Sequence, residues 1–494
     1  MIDAAVVNMP YTGSRNVRSL PIFRRRICPL RGRTAIQWYD ASSLVRLARQ
    51  AEQGDSTMAL LRTVPRVLAV LVVIVQAGPA RADILKVPGE YATIQQAIDA
   101  AEDGDVIVVA RGTYSGRGNV DLNSLGRDLT IRSENGPDSC ILDAKRRGRH
   151  FVFENGETDD FLVDGFTLRN GSAREADSAV GDGGSVLCDN GSSPVFRNCR
   201  FVHNTAYAGG AVIARSSSHP RFESCKFDHN RATWGGAIGA VNFSGPGLYR
   251  CSFQNNSAQI GGAIVGWFGW YYSDDSGPDI EKCEFAANQA LDTATMASAG
   301  GAMYLFRSYP YVSRCVFRGN DAEGAGGAIH GHKSNPLLMS CLFVDNEAIW
   351  GGAYYNDPFS IPTIVNCTIV NNRAKLAAGG LWSTHLGTTI TNCVLWDNNA
   401  STGEGDQVWG SSYIFNSVVE GGWPDGWEIL DEDPQFLDPE AGDFRVSRRS
   451  PCVNLGFMYY VPDDAELDLA GNARVVCDAI DAGSFEVQLA DCGE

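Results

Sequence analysis

The chain has 494 residues, of which 44 % are hydrophobic, and carries a formal net charge of −17. That length admits one long solenoid or two to three ordinary domains, and the apolar content is enough for a real core. The acidic balance opposes nucleic acid and anionic membranes as partners, and favours solubility and divalent cations.

Residues 1–57 differ from the rest, with nine arginines, no lysine, four acidic residues and no periodic pattern. From Met58, Arg62 and Arg66 lead into the nine-residue apolar run Val67–Val75, and Ala80-Arg-Ala82 follows. A basic n-region, a short h-region and an Ala-x-Ala site describe a secretory signal peptide, too short to span a bilayer. The expectation is translation from Met58, cleavage after Ala82, and a secreted or cell-surface protein beginning at Asp83. Without residues 1–82 the charge becomes 29 minus 54, or −25. No later stretch is apolar enough to cross a membrane.

Thr93-Ile94-Gln-Gln-Ala97-Ile98-Asp-Ala-Ala101 places apolar residues at i, i+3, i+4 and i+7 behind a Thr cap. It predicts a short amphipathic helix ending near Gly104, suited to covering the open end of a strand stack. Strand-like runs follow at Asp105–Val109, Leu129–Ile131, Cys140–Leu142, Phe151–Phe153, Phe161–Val163 and Phe166–Leu168.

From Pro194 to Ala400 one pattern repeats eight times. Its anchors are Cys199, Cys225, Cys251, Cys283, Cys315, Cys341, Cys367 and Cys393, spaced 26, 26, 32, 32, 26, 26 and 26 residues apart. Seven copies have Pro five residues before the Cys. All have an apolar residue three before it, Phe, Ile or Leu two after it, Asn five after it and Ala seven after it. Gly-Gly then recurs, from Gly209-Gly210 to Gly379-Gly380. Periods of this size mean a stacked, quasi-one-dimensional architecture. Each copy supplies three short strands and three corners. Asn marks one corner, where it tolerates left-handed backbone and can bond the Asn of the next coil; Gly-Gly marks another. The fold class is therefore all-β, a right-handed parallel β-helix of about 26 residues per coil, with Phe, Cys and Asn ladders spaced about 4.8 Å. It spans 83–430, and residues 431–494 lose the period and form an irregular C-terminal cap.

Parallel in-register cysteines sit near the strand spacing of about 4.8 Å, beyond the preferred Cβ separation of a disulfide. The eight are read as buried small hydrophobes, with partial disulfides as the alternative, and Cys452–Cys477 is the best disulfide candidate. No zinc-type Cys-x-x-Cys occurs.

Two coils are six residues longer. One holds Trp267, Trp270, Tyr271 and Tyr272 beside Asp274-Asp275; the other holds Leu291–Met296. Aromatics beside carboxylates grip sugar rings through ring faces and hydroxyl hydrogen bonds, or they pack over their own insertion. Counting five residues past each Gly-Gly gives one outward column: Arg215, Val241, Trp267, Phe306, His332, Asp357 and His385. Tyr304, His330 and Tyr355 lie one alternation away. His332, Asp357 and His385 could meet one ligand as an acid/base set or as metal ligands, or form a solvated polar face. No metal is assigned; Ca²⁺ is a possible but not required cofactor.

Phe343-Val-Asp-Asn346 and Gly326-Gly-Ala-Ile329 resemble the repeats of chlamydial polymorphic membrane proteins. More broadly, Ile84 to Glu486 resembles bacterial secreted proteins of the pectin-lyase-like β-helix fold. The resemblance implies a fold and leaves the activity open. The outer-membrane barrel that follows such repeats in the chlamydial proteins is absent here. Polygalacturonase-like enzymes carry Asn-Thr-Asp and Gly-His-Gly, where this chain has only Gly331-His332-Lys333. The pectate-lyase elements Trp-x-Asp-His and Arg-x-Pro-x-x-Arg do not occur. The sequence reading is a monomeric secreted protein binding an extracellular polysaccharide or cell-surface glycan, or acting in adhesion. The alternatives are a polysaccharide lyase or glycoside hydrolase, and a structural spacer.

Overall fold

A computed structural model describes residues 82–173, 181–267, 277–291, 298–461 and 467–488. The N-terminal extension (residues 1–57), all of the expected signal peptide (58–82) but Ala82, the insertion residues Trp270, Tyr271, Tyr272, Asp274 and Asp275, and Met296 lie outside the described residues.

The repeat forms a right-handed parallel β-helix in which three columns of short strands run through one continuous sheet of 34 strands. Strands before each Cys pair with their counterparts one coil on, as Phe196↔Phe222 and Leu338↔Ile364. Strands after each Cys do the same, as Phe201↔Phe227 and Phe317↔Phe343. So do strands after Gly-Gly, as Met303↔Ile329. A fourth, smaller ladder of six strands runs from Ser257–Ala258 to Asn399–Ala400.

In-register stacking brings like residues together. Consecutive rings of Phe201, Phe227, Phe253, Phe285, Phe317 and Phe343 lie 4.6–4.8 Å apart and within 5° of parallel. The eight ladder cysteines are buried and free. The backbone N–H of Cys341 donates to Cys367 Sγ at 3.4 Å, and Cys341 Sγ donates to the Val312 carbonyl at 3.6 Å. Cys452 is also free, whereas Cys477 is disulfide-bonded. The Cys452–Cys477 pairing is therefore corrected. Cys452 instead packs in an apolar cluster with Val394, Val418 and Ala482.

The Asn ladder runs unbroken from Asn204 to Asn398. In each step the backbone N–H and side-chain amide both donate to the next Asn Oδ1, at 3.1 and 2.9 Å from Asn288 to Asn320. The second amide hydrogen goes to a carbonyl one coil back, as from Asn320 to Phe285. Left-handed backbone falls one residue earlier, at His203, His229, Asn255, Ala287 and Asp345. The ladder Asn is thus required for its buried amide, not for its φ. Glycine does supply the next corner. Gly326 has φ +71°, and a Cβ on Gly327 would lie 2.1 Å from the Gly352 carbonyl oxygen.

Helix α1 (Ile94–Ala100) begins at the Thr93 cap, whose hydroxyl accepts from Gln96 N at 3.3 Å, and ends with Ala101 as its C-cap, short of the expected stop at Gly104. It buries Ile94, Ala97 and Ile98 against the first strands. At the other end the chain folds back along the flank of the last coils. The antiparallel pair Phe436–Asp438 and Asp443–Val446 packs with Phe485 on Leu342, Val344 and Val370. Those outward positions, one and three past the Cys, are Lys226 and Asp228 in an earlier coil. The switch from polar to apolar marks the surface that the tail covers.

Candidate functional site: a ring-lined face ending in a His–Asp cluster

The strands after Gly-Gly carry the candidate residues. Their alternation points Ile264, Met303, Ile329, Tyr354 and Leu381 into the core and the intervening residues outward. Two outward columns result.

The first is Tyr304, His330, Tyr355, Trp382 and Trp409, with ring centroids separated by 5.1, 4.8, 5.7 and 3.8 Å in turn. The second is Trp267, Phe306 and His332, spaced 4.7 and 5.0 Å. Trp234 covers the other face of Trp267 at 5.4 Å. Because these rings stack on one another, Trp267 and Phe306 present edges rather than free faces to a ligand. The exposed ring face nearby belongs to Phe359, 70 % exposed, with Lys333 Nζ 5.8 Å from its centroid.

The second column ends at Asp357, which follows the strand Tyr354–Asn356. Its backbone N–H donates to Gly331 O at 3.1 Å. Its Oδ1 accepts from Lys333 N at 3.1 Å and from Ser360 Oγ at 3.2 Å, so that oxygen is saturated. Oδ2 pairs with His332 Nδ1. The aspartate is 8 % exposed, while the imidazole keeps a third of its surface in solvent. One ligand atom each from His330, His332 and Asp357 lies within 4.8 Å of the others.

Burial dominates the electrostatics around this cluster. It pushes His330 down to about 4, opposed by the Asp357 carboxylate. It pushes Tyr304 up to about 12 and also raises Tyr354 and Tyr355; Asp357 adds to the shift in all three. Imidazole and phenols are therefore held neutral close to one carboxylate. Gly331 separates the two histidines for a steric reason: a Cβ there would lie 2.6 Å from the Tyr354 hydroxyl. His330 Nδ1, Tyr354 Oη and Asn356 Oδ1 are buried polar atoms that find no hydrogen-bond partner.

The structure thus brings His332 and Asp357 together and sets Tyr304 and Tyr355 beside them. The side chain of His385 lies outside the described residues. Asn356 pairs with Ser383, which gives the position across from Asp357 to Thr384. The cause is the corner: Trp350 pairs with Ala377, so Ala378-Gly379 takes the place of Gly351-Gly352 and counting from Gly379-Gly380 runs one residue long. The same slip hid Trp382. Trp409 and Phe359 lie beyond the counted pattern, and only their exposed-aromatic character in a strand or loop could have flagged them.

Other grooves lie elsewhere among the described residues, including one of about 490 Å³ lined by Arg132, Asp164, Arg200 and Lys226. A second of about 650 Å³ is lined by Tyr207, Arg231, Thr233 and Gln259. A third of about 280 Å³ is lined by Phe415, Asn416, Trp427 and Phe457. None of these adjoins the His–Asp cluster in its lining residues.

Among solved structures the chain is similar to pectate lyase Pel9A, at 14 % identity over 83 % of this chain and 97 % of that one, TM-score 0.45. It is also similar to the PL6 family alginate lyase AlyGC, at 12 % identity over 78 % and 60 %, TM-score 0.43. A PL6 alginate lyase in complex with a trisaccharide gives 12 % identity over 72 % and 84 %, TM-score 0.44. The sequence matches no curated protein. It does match the family described as "Right handed beta helix region" over residues 147–294 and 250–421, together more than half of the chain. With the parallel coil stack observed directly, this chain belongs to the right-handed β-helix family.

Proposed function

We propose that this is a secreted or surface-displayed β-helix protein that binds extracellular carbohydrate, on the face formed by Tyr304, Tyr355, Phe359 and the His332–Asp357 pair. One observation carries the reading. A partly exposed imidazole and a carboxylate terminate an outward column of rings, next to the exposed face of Phe359. Sugars are bound by this combination of an aromatic face for the C–H side of the ring and fixed polar groups for its hydroxyls. The same chemistry serves adhesion to a cell-surface glycan. The unusually acidic chain favours neutral or hydroxyl-rich polymers over polyuronates, unless Ca²⁺ bridges the two.

A second reading, a polysaccharide lyase, is favoured by the Asp357–His332 pairing, which fixes the imidazole orientation as a general base requires. A glycoside hydrolase fits less well, because its mechanism uses two carboxyl groups and this cluster supplies one.

The test incubates the purified chain with plant, algal and bacterial polysaccharides, with and without Ca²⁺. Retention on one polymer without product, lost in Phe359→Ala, supports binding. New reducing ends or an ultraviolet-absorbing unsaturated product, lost in His332→Ala, support the lyase. Neither retention nor product removes both readings.

A further inference from the structure

The geometry points to a divalent transition-metal site, of the zinc class, formed by His330, His332 and Asp357 between two adjacent coils. This goes beyond glycan binding and does not depend on it. The two histidines stand on the strand Ile329–His332, and Asp357 directly follows the strand paired with it, Tyr354–Asn356, pinned by its N–H to Gly331 O and by Lys333 N to its Oδ1. Their ligand atoms lie within 4.8 Å of one another. Modest side-chain rotation closes that spread around an ion whose bonds are about 2.0–2.2 Å.

Two independent features support a cation. First, His330 Nδ1 is buried with no hydrogen-bond partner. A neutral imidazole lone pair left bare in a packed site is costly unless a ligand takes it. Second, Asp357 is held as a metal-binding carboxylate is held. Lys333 N and Ser360 Oγ saturate Oδ1, leaving Oδ2 for the centre.

The donor set decides the ion. Two imidazole nitrogens and one carboxylate oxygen suit Zn²⁺ and its borderline neighbours, whereas Ca²⁺ prefers six to eight oxygens. Three protein ligands, with His332 one-third exposed, leave positions open toward solvent. Structural zinc sites close with four protein ligands, so this arrangement is of the open kind that also admits water or a ligand hydroxyl.

The experiment is calorimetric titration of the chelator-stripped full chain with Zn²⁺ alone, in the absence of any sugar. The expected result is one equivalent bound, with no heat from Ca²⁺ at the same concentration. His332→Asn and Asp357→Asn should each weaken binding by about 100-fold, and Ser360→Ala, which only positions Asp357, by about 10-fold. His203→Asn with His229→Asn removes a neighbouring pair of surface imidazoles in earlier coils and should leave the affinity unchanged. Should a variant fail to fold, X-ray absorption on the Zn²⁺-loaded parent chain decides: two imidazoles and one carboxylate must appear in its first shell. No uptake of Zn²⁺, uptake unaffected by His332→Asn and Asp357→Asn, or a first shell without two imidazoles overturns the site. Loss of Zn²⁺ binding with glycan retention intact would end this inference and spare the binding reading.

Discussion

Ala378 adopts φ 62° at the corner where Gly351, one coil earlier, adopts φ 63°. An L-residue with a Cβ pays about 1–2 kcal/mol for that conformation, and glycine does not. Ala378→Gly should therefore stabilise the fold by roughly 0.5–1 kcal/mol, after allowing for the looser unfolded chain. The reciprocal change, Gly326→Ala, would set a Cβ 2.3 Å from the Ile329 carbonyl oxygen and should destabilise strongly. Denaturant midpoints of the two variants should move in opposite directions.

Asn320 is a rung whose neighbours depend on it from both sides. It accepts from Asn288 N and Nδ2 and donates to Asn346 Oδ1 and the Phe285 carbonyl. Asn320→Ala strands buried donors and acceptors, at about 1–3 kcal/mol for each unpaired group. A loss of about 3 kcal/mol is expected in equilibrium unfolding. A loss below about 0.5 kcal/mol would mean that the ladder is not a cooperative support.

The ladder thiols should be chemically silent in the native protein. Burial raises Cys225, Cys283, Cys315 and Cys367 well above their ordinary value, whereas hydrogen bonds within the ladder, working against burial, hold Cys251 and Cys341 below it. All eight are closed off from solvent, which denies a reagent access to any thiolate. Alkylation should leave these cysteines untouched until denaturant is added. They should then react without any reductant, whereas Cys477 should require one. Ladder cysteines that react only after reduction would contradict the free thiols.

The fold-back of the tail should depend on pH. Arg474, fully buried, donates to Glu486 Oε2 at 3.1 Å and to the Gly483 carbonyl at 2.7 Å, and it reaches Ser340 Oγ at 3.3 Å. Burial, and then the Asp481 carboxylate, push Glu486 up to about 8, against the opposing effect of Arg474. A carboxyl raised in the folded state binds a proton that the unfolded chain releases near pH 4.3. Its contribution is complete below that value and is lost as pH rises through about 8. Glu486→Gln should flatten the decline in stability between those limits, measured as the difference in midpoint from the parent. An identical pH profile in both proteins would refute the assignment.

The coil period was legible because it is enforced by stacking: Phe317 is sandwiched between Phe285 and Phe343, and Asn320 bonds its amide to Asn346 one coil on. The column containing Trp267, Phe306 and His332 followed from the same period. The limit was reached where the corner changed chemistry. Ala378 performs a glycine's role, so counting by Gly-Gly runs one residue long in that coil and passed over Trp382. Left-handed backbone was likewise assigned to the ladder Asn, because single-residue preference cannot tell which of two adjacent positions bends. The tail's position on Leu342, Val344 and Val370 was also visible in principle, as an outward surface turned apolar. Reading it required the two faces of each strand to be followed separately.

The one-to-one matching of coils also sets what kinds of genetic change the molecule tolerates. Because Asn288, Asn320 and Asn346 each make the same contacts with the rung above and below, any rung can meet any other. Duplication or loss of an entire coil leaves the remaining Asn-ladder junctions chemically unchanged. Loss of a single residue within a strand turns its inward Phe to solvent. The gene can therefore lengthen or shorten the face that carries His332 and Asp357 in whole steps of about 4.8 Å, and selection can adjust the reach of the protein without redesigning its interior.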